Sequence, residues 1–479
     1  MVEPCSAGTM RLPWIFRVLV LLLAPVSAGF GAGAMAADAE KRVDDPETRD
    51  WKSPYAEIQI SGVAGEIHRD WSAGFEFILA GGSHGFHSAF VAPVRWDPDG
   101  IRARDWDEVN DFGRLVGRLA YCNQSGDIDV ELRSIRGFTL GAGNLVSMYN
   151  STVDQDHWRT GLTARLHWPV AGADLFVDSF LGPSVLGARA YLRPLWFVDN
   201  SGNLGRLEIG ASFAVDIFAP ETMGSGTPER PGQVLPDRYG LAVSGTDTVA
   251  AWSVDLRWPV VFGDAAGLVP WVAWSRIGTA DAFNMGVDLS VRLAPRWSLA
   301  LSGGYDYMES GFATGYFDGL YMVDRYDFGV LRDAFPGAVS KQALLESTGV
   351  TRHGGSVGLG VFFDPWMSLW FRADIDENGL FSRFRAGASV SVKERLVLSG
   401  NMVARGFGPA NDSLVADRVG GSVAADITVW NFIGVFFSYT RDLYVSMTGI
   451  DTGRYVGGDT GLAGVRMTFG LIPSDRGSR

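Results

Sequence analysis

The sequence predicts an all-β protein, a single transmembrane antiparallel β-barrel of about 16 strands, with about 14–18 compatible with the chain. Three observations predict it. Apolar and polar residues alternate over stretch after stretch, Trp and Tyr stand at the ends of those stretches, and the face opposite the apolar one carries charged side chains. Composition agrees. Glycine supplies 61 of 479 residues, well above its usual share. Aromatic residues make up 12 %, including 16 Trp, more than a disordered chain holds. The formal net charge of -13 argues against nucleic acid as a partner, which calls for a basic patch.

Residues 1–36 read as a signal peptide, with Met10 as its start. Arg11 and Arg17 lead into the apolar run 18–24, shorter than the ~20 residues of a membrane-spanning helix. Ala34-Met35-Ala36 fits a small-residue cleavage site. Residues 37–56 are expected to form a short periplasmic lead-in, 57–471 the barrel and 472–479 a polar tail. Cys5 precedes the apolar run, and Cys122 alone makes no internal disulfide, so Cys122 reads as an inert, partly buried thiol.

From there the chain reads as strands. Within 206–218, Leu207, Ile209, Ala211, Phe213, Val215 and Ile217 share one face, opposite Glu208 and Asp216. Trp252, Val254, Leu256 and Trp258 oppose Asp255 and Arg257, and Met285, Val287, Leu289, Val291 and Leu293 oppose Asp288 and Arg292. Leu396, Leu398, Met402 and Ala404 repeat the theme, as do Val465, Met467, Phe469 and Leu471. Period two is the signature of a strand, and ~9–11 tilted residues cross a bilayer. Trp168, Trp196, Trp258, Trp271, Trp297, Trp366, Trp430 and Tyr439 lie near segment ends, where an aromatic ring sits at the headgroups. A basic residue against lipid at mid-bilayer costs roughly 2–4 kcal/mol. Glu208, Asp216, Asp255, Arg257, Asp288, Arg292, Arg372 and Asp374 are therefore assigned to a wet lumen. Apolar outside, polar inside and no free edge is the logic of a closed barrel.

Three stretches depart from this pattern. Residues 219–246, with four prolines, and 326–355 read as long loops, the second with a short helix at Lys341–Ser347. Residues 105–119 are ambiguous: Val109, Phe112, Leu115, Val116 and Leu119 recur at helical spacing with Asp105 placed to cap, yet a strand fits as well. Gly81-Gly82-Ser83-His84-Gly85 matches a nucleophile pattern that has meaning only on a strand-to-helix turn, and a hairpin turn explains it fully. His84 and His87 fall on opposite strand faces, so no metal site is assigned. Gly141-Ala142-Gly143 lacks the third glycine of a dinucleotide fingerprint, and no cofactor is expected.

One further set of residues carries a resemblance. Asp105-Trp106-Asp107-Glu108 with Asp111-Phe112, then Tyr149-Asn150, Asp154-Gln155-Asp156-His157, Thr160-Gly161, Gly187-Ala188-Arg189 and Leu192-Arg193-Pro194 resemble an uncharacterised family of Gram-negative outer-membrane β-barrels. The resemblance implies the bacterial outer membrane as location and its lipid as surroundings; it implies no activity. It singles out Asp105, Asp107, Glu108, Asp154, Asp156, His157, Arg189 and Arg193, which we read as a salt-bridged lumen network in preference to a ligand site. The function expected first is a porin-like channel for small solutes, with a weak cation preference from the acidic balance. The alternative is a structural or partner-binding barrel without an open pore. No enzymatic role is expected.

Overall fold

The computed structural model describes residues 54–67, 70–123, 125–152, 158–200, 202–223, 235–236, 242–325, 340–377, 382–392, 395–405, 419–430, 432–445 and 455–472. The expected signal peptide, most of the lead-in, all of the polar tail but Ile472, and Asp154, Asp156 and His157 lie outside these residues.

Alternation becomes a ring of twenty strands, not about 16. In chain order they are β1 (Tyr55–Ile67), β2 (Asp70–Ser83), β3 (Phe86–Asp97), β4 (Val116–Cys122), β5 (Ile128–Arg133), β6 (Gly161–His167), β7 (Ala171–Val177), β8 (Val185–Leu192), β9 (Glu208–Met223), β10 (Ala242–Arg257), β11 (Ala266–Ile277), β12 (Ala280–Ala294), β13 (Trp297–Met308), β14 (Arg352–Phe363), β15 (Met367–Asp376), β16 (Arg383–Val392), β17 (Leu396–Arg405), β18 (Val419–Trp430), β19 (Ile433–Val445) and β20 (Tyr455–Ile472). Each pairs antiparallel with the next, and β1 pairs with β20 from Ala56↔Ile472 to Ile67↔Thr460, which closes the barrel. The sequence estimate fell short because β4 to β8 are only 6 to 8 residues long. A strand that short holds three or four alternations, too few to stand out from a loop.

Side-chain parity follows the predicted faces. Ile209, Phe213, Val254, Leu256, Met285, Val287, Leu398, Met467 and Phe469 are exposed on the outer face, while Glu208, Asp216 and Asp255 are buried on the inner one. Trp168, Trp258, Trp297 and Trp430 all lie at the end of the barrel that carries the chain termini, and are exposed there. Trp71, Trp96, Tyr305 and Tyr307 are exposed toward the other end. At ~3.3 Å per residue and a tilt near 40°, the run from Trp297 to Tyr307 spans roughly 25 Å, the height of an outer-membrane apolar belt. Trp271 is an exception to the expected girdle. It sits on the inner face, where glycine at 286 leaves the space its indole fills: a Cβ there would lie 2.5 Å from the ring.

The predicted loops are shorter than expected. β9 and β10 continue pairing to Met223↔Val243, with register shifts between Asp216 and Met223. Those irregularities accommodate Pro220, which cannot donate to a ladder. The helix α1 (Tyr321–Asp324) precedes α2 (Lys341–Ser347), which stands where the sequence placed it, capped by Ser340 accepting from the Ala343 amide. The ambiguous stretch splits into 3-10 turns at Ala103–Asp105 and Val109–Leu115, followed by strand β4. Glu108, not Asp105, caps the second turn, in a reciprocal box with Asp111. Val109, Phe112 and Leu115 all stay exposed, the one-sided spacing that three residues per turn produces. At Ser83–Phe86 a two-residue turn with His84 at φ 52 and Gly85 at φ 86 joins β2 to β3. This is a hairpin turn with both central residues left-handed, and it accounts for the nucleophile-like pattern.

Twenty strands put both termini at one end, with tight turns such as 295–296 and 364–366 between many strands there. The longest connections leave from the opposite end, which by the outer-membrane pattern faces outward. An epitope tag inserted after Gly226 should therefore be reached by antibody on intact cells, and one after Gly126 only after the outer membrane is permeabilised. The opposite labelling pattern inverts the topology.

Candidate functional site in the barrel lumen

The described parts of the connections β5–β6 and β13–β14 turn into the lumen and build a plug. Val146–Ser147 and Phe317–Asp318 pair as a short parallel sheet inside the ring. Around it Leu145, Tyr149, Phe312, Tyr316, Phe317 and Tyr321 are at most 1 % exposed. They form one apolar cluster with inward residues of the wall, including Phe176 on β7, Val185 on β8, Ala214 on β9, Ala251 on β10, Ala282 on β12 and Met308 on β13. Small wall residues opposite large plug aromatics let the two surfaces interlock.

Charged wall residues fasten the plug. Arg383 on β16 pairs with Asp318 and donates to the carbonyls of Gly315 and Thr314, each at 3.0 Å. Arg385 reaches the Ser147 carbonyl at 3.3 Å and Asp374 at 3.1 Å. Arg352 on β14 pairs with Asp376 at 2.6 Å and donates to the Phe312 carbonyl. Across the lumen, Asp216 accepts from the Tyr321 hydroxyl and from Arg325, both at 2.9 Å. Lys341 of α2 donates to the Tyr316 carbonyl at 2.7 Å and lies over the Tyr316 and Tyr321 rings. Burial alone would raise the Asp318 pKa, but Arg383, Lys341 and Arg385 outweigh it and hold the carboxyl below its ordinary value. Burial, then Asp216, pushes the Tyr321 hydroxyl up, so it stays a donor.

The residues singled out from the sequence fall into separate groups. Asp105 is fully buried and accepts from Arg102 at 2.7 Å, with Arg95 at 3.3 Å and Arg114 at 3.5 Å. Arg189 on β8 grips Asp255 on β10 with two nitrogens, at 2.6 and 3.2 Å, and Arg193 pairs with Glu208 at 2.8 Å. Asp107 is the correction: it is exposed and joins no ion pair among the described residues, because it lies outside the turn that carries Asp105 inward. Glu108 serves as the helix cap. The Arg189–Asp255 pair bridges over Gly210 on β9, where a Cβ would lie 2.5 Å from the guanidinium. Arg372 pairs with Asp374 at 2.8 Å. Arg257, Asp288 and Arg292 share the inward register, Arg292 exposed at the end that carries the termini. Arg383, Arg385, Arg352 and Asp318 were missed. Their signal was indirect: aromatic, glycine-rich runs at 134–152 and 309–325 without strand periodicity.

Among the described residues the plug packs mainly against one side of the lumen, with α1 also approaching β19. On β7 to β10 most inward residues are buried, whereas on β17, β18 and β19 nearly every inward residue is partly accessible, including Ser399, Asn401, Ser422, Asp426, Ser438 and Thr440. Asp426 there pairs with Arg466 of β20 at 2.8 Å.

A closed antiparallel ring with an apolar outer belt and a charged interior is a transmembrane β-barrel of the bacterial outer-membrane kind. No family model matches the sequence, and no curated protein matches it. Among solved structures it is similar to the ferric enterobactin receptor PfeA of Pseudomonas aeruginosa, at 11 % identity and a TM-score of 0.40, covering 87 % of this chain and 82 % of that one. It is similar also to OpdK of Pseudomonas aeruginosa, solved with vanillate, at 9 % identity and a TM-score of 0.32, covering 87 % and 99 %. For OccAB3 of Acinetobacter baumannii the figures are 11 %, 0.34, 87 % and 99 %. The assignment to the outer membrane rests on the ring and its belt, not on these distant likenesses.

Breaking the Arg383–Asp318 pair by Asp318→Asn should destabilise the plug by about 3 kcal/mol, since it strands a buried cation, read as an earlier urea midpoint in vesicles. The pH dependence has a definite sign. The folded Asp318 pKa is lowered, so its contribution is complete above the ordinary value of 3.8 and drains away as pH falls through the lowered one. Tyrosine fluorescence of the plug should thus hold steady down to about pH 4 and change only below it.

Proposed function

We propose that this protein is a porin-like channel for small solutes, with the passage running between the plug and the β17–β20 wall. The observation that carries this reading is the asymmetry of the lumen. Apolar packing and ion pairs fill the side bounded by β7 to β14, while the facing wall keeps small hydroxylic side chains accessible. Hydroxyl-lined walls let polar solutes exchange hydration for side-chain contacts without trapping them. The chain's acidic excess does not reach this passage unbalanced, because inward carboxylates such as Asp255, Asp374 and Asp426 each sit against an arginine. No catalytic role is assigned.

A second reading, a barrel that binds a partner without conducting, is favoured by Phe197 and Val198. Both are 81 % exposed in the β8–β9 connection, on the end that carries the termini. An exposed apolar pair suits a protein contact more than a pore mouth.

Conductance separates the two readings. Refolded protein in a planar bilayer should give steady single-channel steps, and Ser438→Trp, which projects an indole from the clear wall, should roughly halve them. Phe437→Leu, one residue along and facing lipid, should leave them unchanged. A bilayer that stays silent, with insertion shown independently, favours the partner-binding barrel.

A further inference from the structure

We propose that residues 103–115, which are not a strand, form part of the membrane-facing wall. Val109, Phe112 and Leu115, with Phe180 and Leu181 beside them, present an apolar surface to the acyl chains of the outward-facing leaflet. The proposal concerns the outer surface of the barrel and holds whether or not the lumen conducts.

Strand register fixes the depth of this segment. At the top of β3 the chain turns back, pairing Asp97 with Gly100 and Trp96 with Ile101, and the Arg102 amide donates to the Arg95 carbonyl at 2.9 Å. Ladder pairing of β3 with β4 begins only at Phe90↔Val116. Residues 103–115 are thus anchored at both ends and stand beside residues 91–94 of β3. Phe86, Phe90 and Trp96 are exposed on the outer face of that strand. At ~3.3 Å per residue and a tilt near 40°, Phe90 lies roughly 15 Å below Trp96, so the break in the ladder falls within the apolar belt. Hydrocarbon offers no water to open backbone groups, and a break at that depth needs a cover. Pro93 lies inside the break. It is two residues from Arg95, so its nitrogen turns to the same side as the Arg95 carbonyl, and it has no N–H to leave unmet there.

The cover has two faces. Asp105, Asn110, Asp111 and Arg114 are buried, and Asp105 meets Arg95, an inward residue of β3. Val109, Phe112 and Leu115 are 68 %, 52 % and 40 % exposed on the opposite face. Hydrogen bonds seat the segment on the outward ends of β6 and β7. The Thr160 hydroxyl donates to the Gly113 carbonyl and the Ser179 hydroxyl to Asn110 Oδ1, both at 2.7 Å, and the Trp158 amide donates to Asp111 at 3.2 Å. A Cβ at Gly113 would lie 2.8 Å from the Thr160 hydroxyl, so the close approach requires glycine. The Phe180 amide donates to the Thr160 carbonyl at 2.9 Å, which brings exposed Phe180 and Leu181 to the same seat. Strands of seven residues such as β6 and β7 rise only roughly 18 Å, short of a ~25 Å belt. The turn and the two residues beside it supply the missing apolar height. Their surface continues that of Phe90, Trp96 and Ile101, all exposed, and this continuity with the belt selects lipid as the occupant. Asp107, exposed two residues before Val109, is then placed at the headgroup edge.

Spin-label accessibility in phosphatidylcholine vesicles at high lipid excess tests this. The background is the full chain with Cys5→Ser and Cys122→Ser, and folding of each variant is confirmed by heat-modifiable mobility. Nitroxides are attached at Val109→Cys, Phe112→Cys and Asp107→Cys. Phe437→Cys serves as the lipid-facing reference and Gly126→Cys as the water-facing one. Dissolved oxygen and a water-soluble nickel chelate are the collision probes. The oxygen-to-nickel ratio at 109 and 112 should match that at 437 and exceed that at 126 several-fold, with 107 between them. Nickel access at 109 and 112 equal to that at 126 overturns the proposal. So does protection from both probes, which shows the patch covered by protein; spin–spin coupling at 112 then identifies a second copy. A photoactivated diazirine on a lipid acyl chain reads the unsubstituted protein. Label within 109–115 is expected, and its absence while outer residues of β12 are labelled overturns the proposal even where a cysteine variant fails to fold.

Discussion

Inside hydrocarbon no water is present to satisfy a peptide amide, so every strand that crosses the bilayer needs a neighbour on both sides. The pairing of β1 with β20 meets that demand for the whole ring, joining the first and last strands over nearly the entire length of β1. Everything else in the molecule is arranged around that closure. Because side chains alternate along each strand, one closed ring commits half of each strand's side chains to lipid and half to the lumen. The outer half can then be uniformly apolar, while the inner half is free to carry charge.

The inner half uses this freedom to hold a second, smaller core. A plug of tyrosines and phenylalanines is unusual in a polar lumen. It persists because wall alanines such as Ala214, Ala251 and Ala282 give it an apolar seat, and because arginines of β14 and β16 cap its carbonyls. Buried ion pairs of this kind contribute little net stability against apolar replacements, yet are costly to break singly. Their role here fits the fixing of position: Arg383, Arg385 and Arg352 reach three different points of the plug, so a shift in any direction leaves a buried charge unpaired. Glycines act in the same interest at Gly210 and Gly286, where the missing Cβ gives room to the Arg189–Asp255 pair and to Trp271.

Much of the wall was legible in the residues themselves. β9, β10 and β12 show clean alternation, and Glu208, Asp255 and Asp288 could be assigned inward because a charge facing lipid is costly. The helix at Lys341–Ser347 was legible as well. The run β4 to β8 was not, since each strand is too short to display its period. The stretch 105–119 was unresolved because its apolar spacing of three suited a helix or an irregular strand, and the 3-10 turns settle it as a spacing of three residues per turn.

Local periodicity fixes the class of fold, the faces of the long strands and most of the aromatic belt. These follow from local periodicity and from the cost of exposing polar groups to lipid. The strand number, the plug and the pairing of charges emerge only from contacts between distant parts of the chain. Asp318 and Arg383 are far apart in the chain, as are Tyr321 and Asp216, and no local pattern links them. They meet because closing the ring brings distant strands around one small volume, where a loop with aromatic side chains gains more by burial than by staying in water.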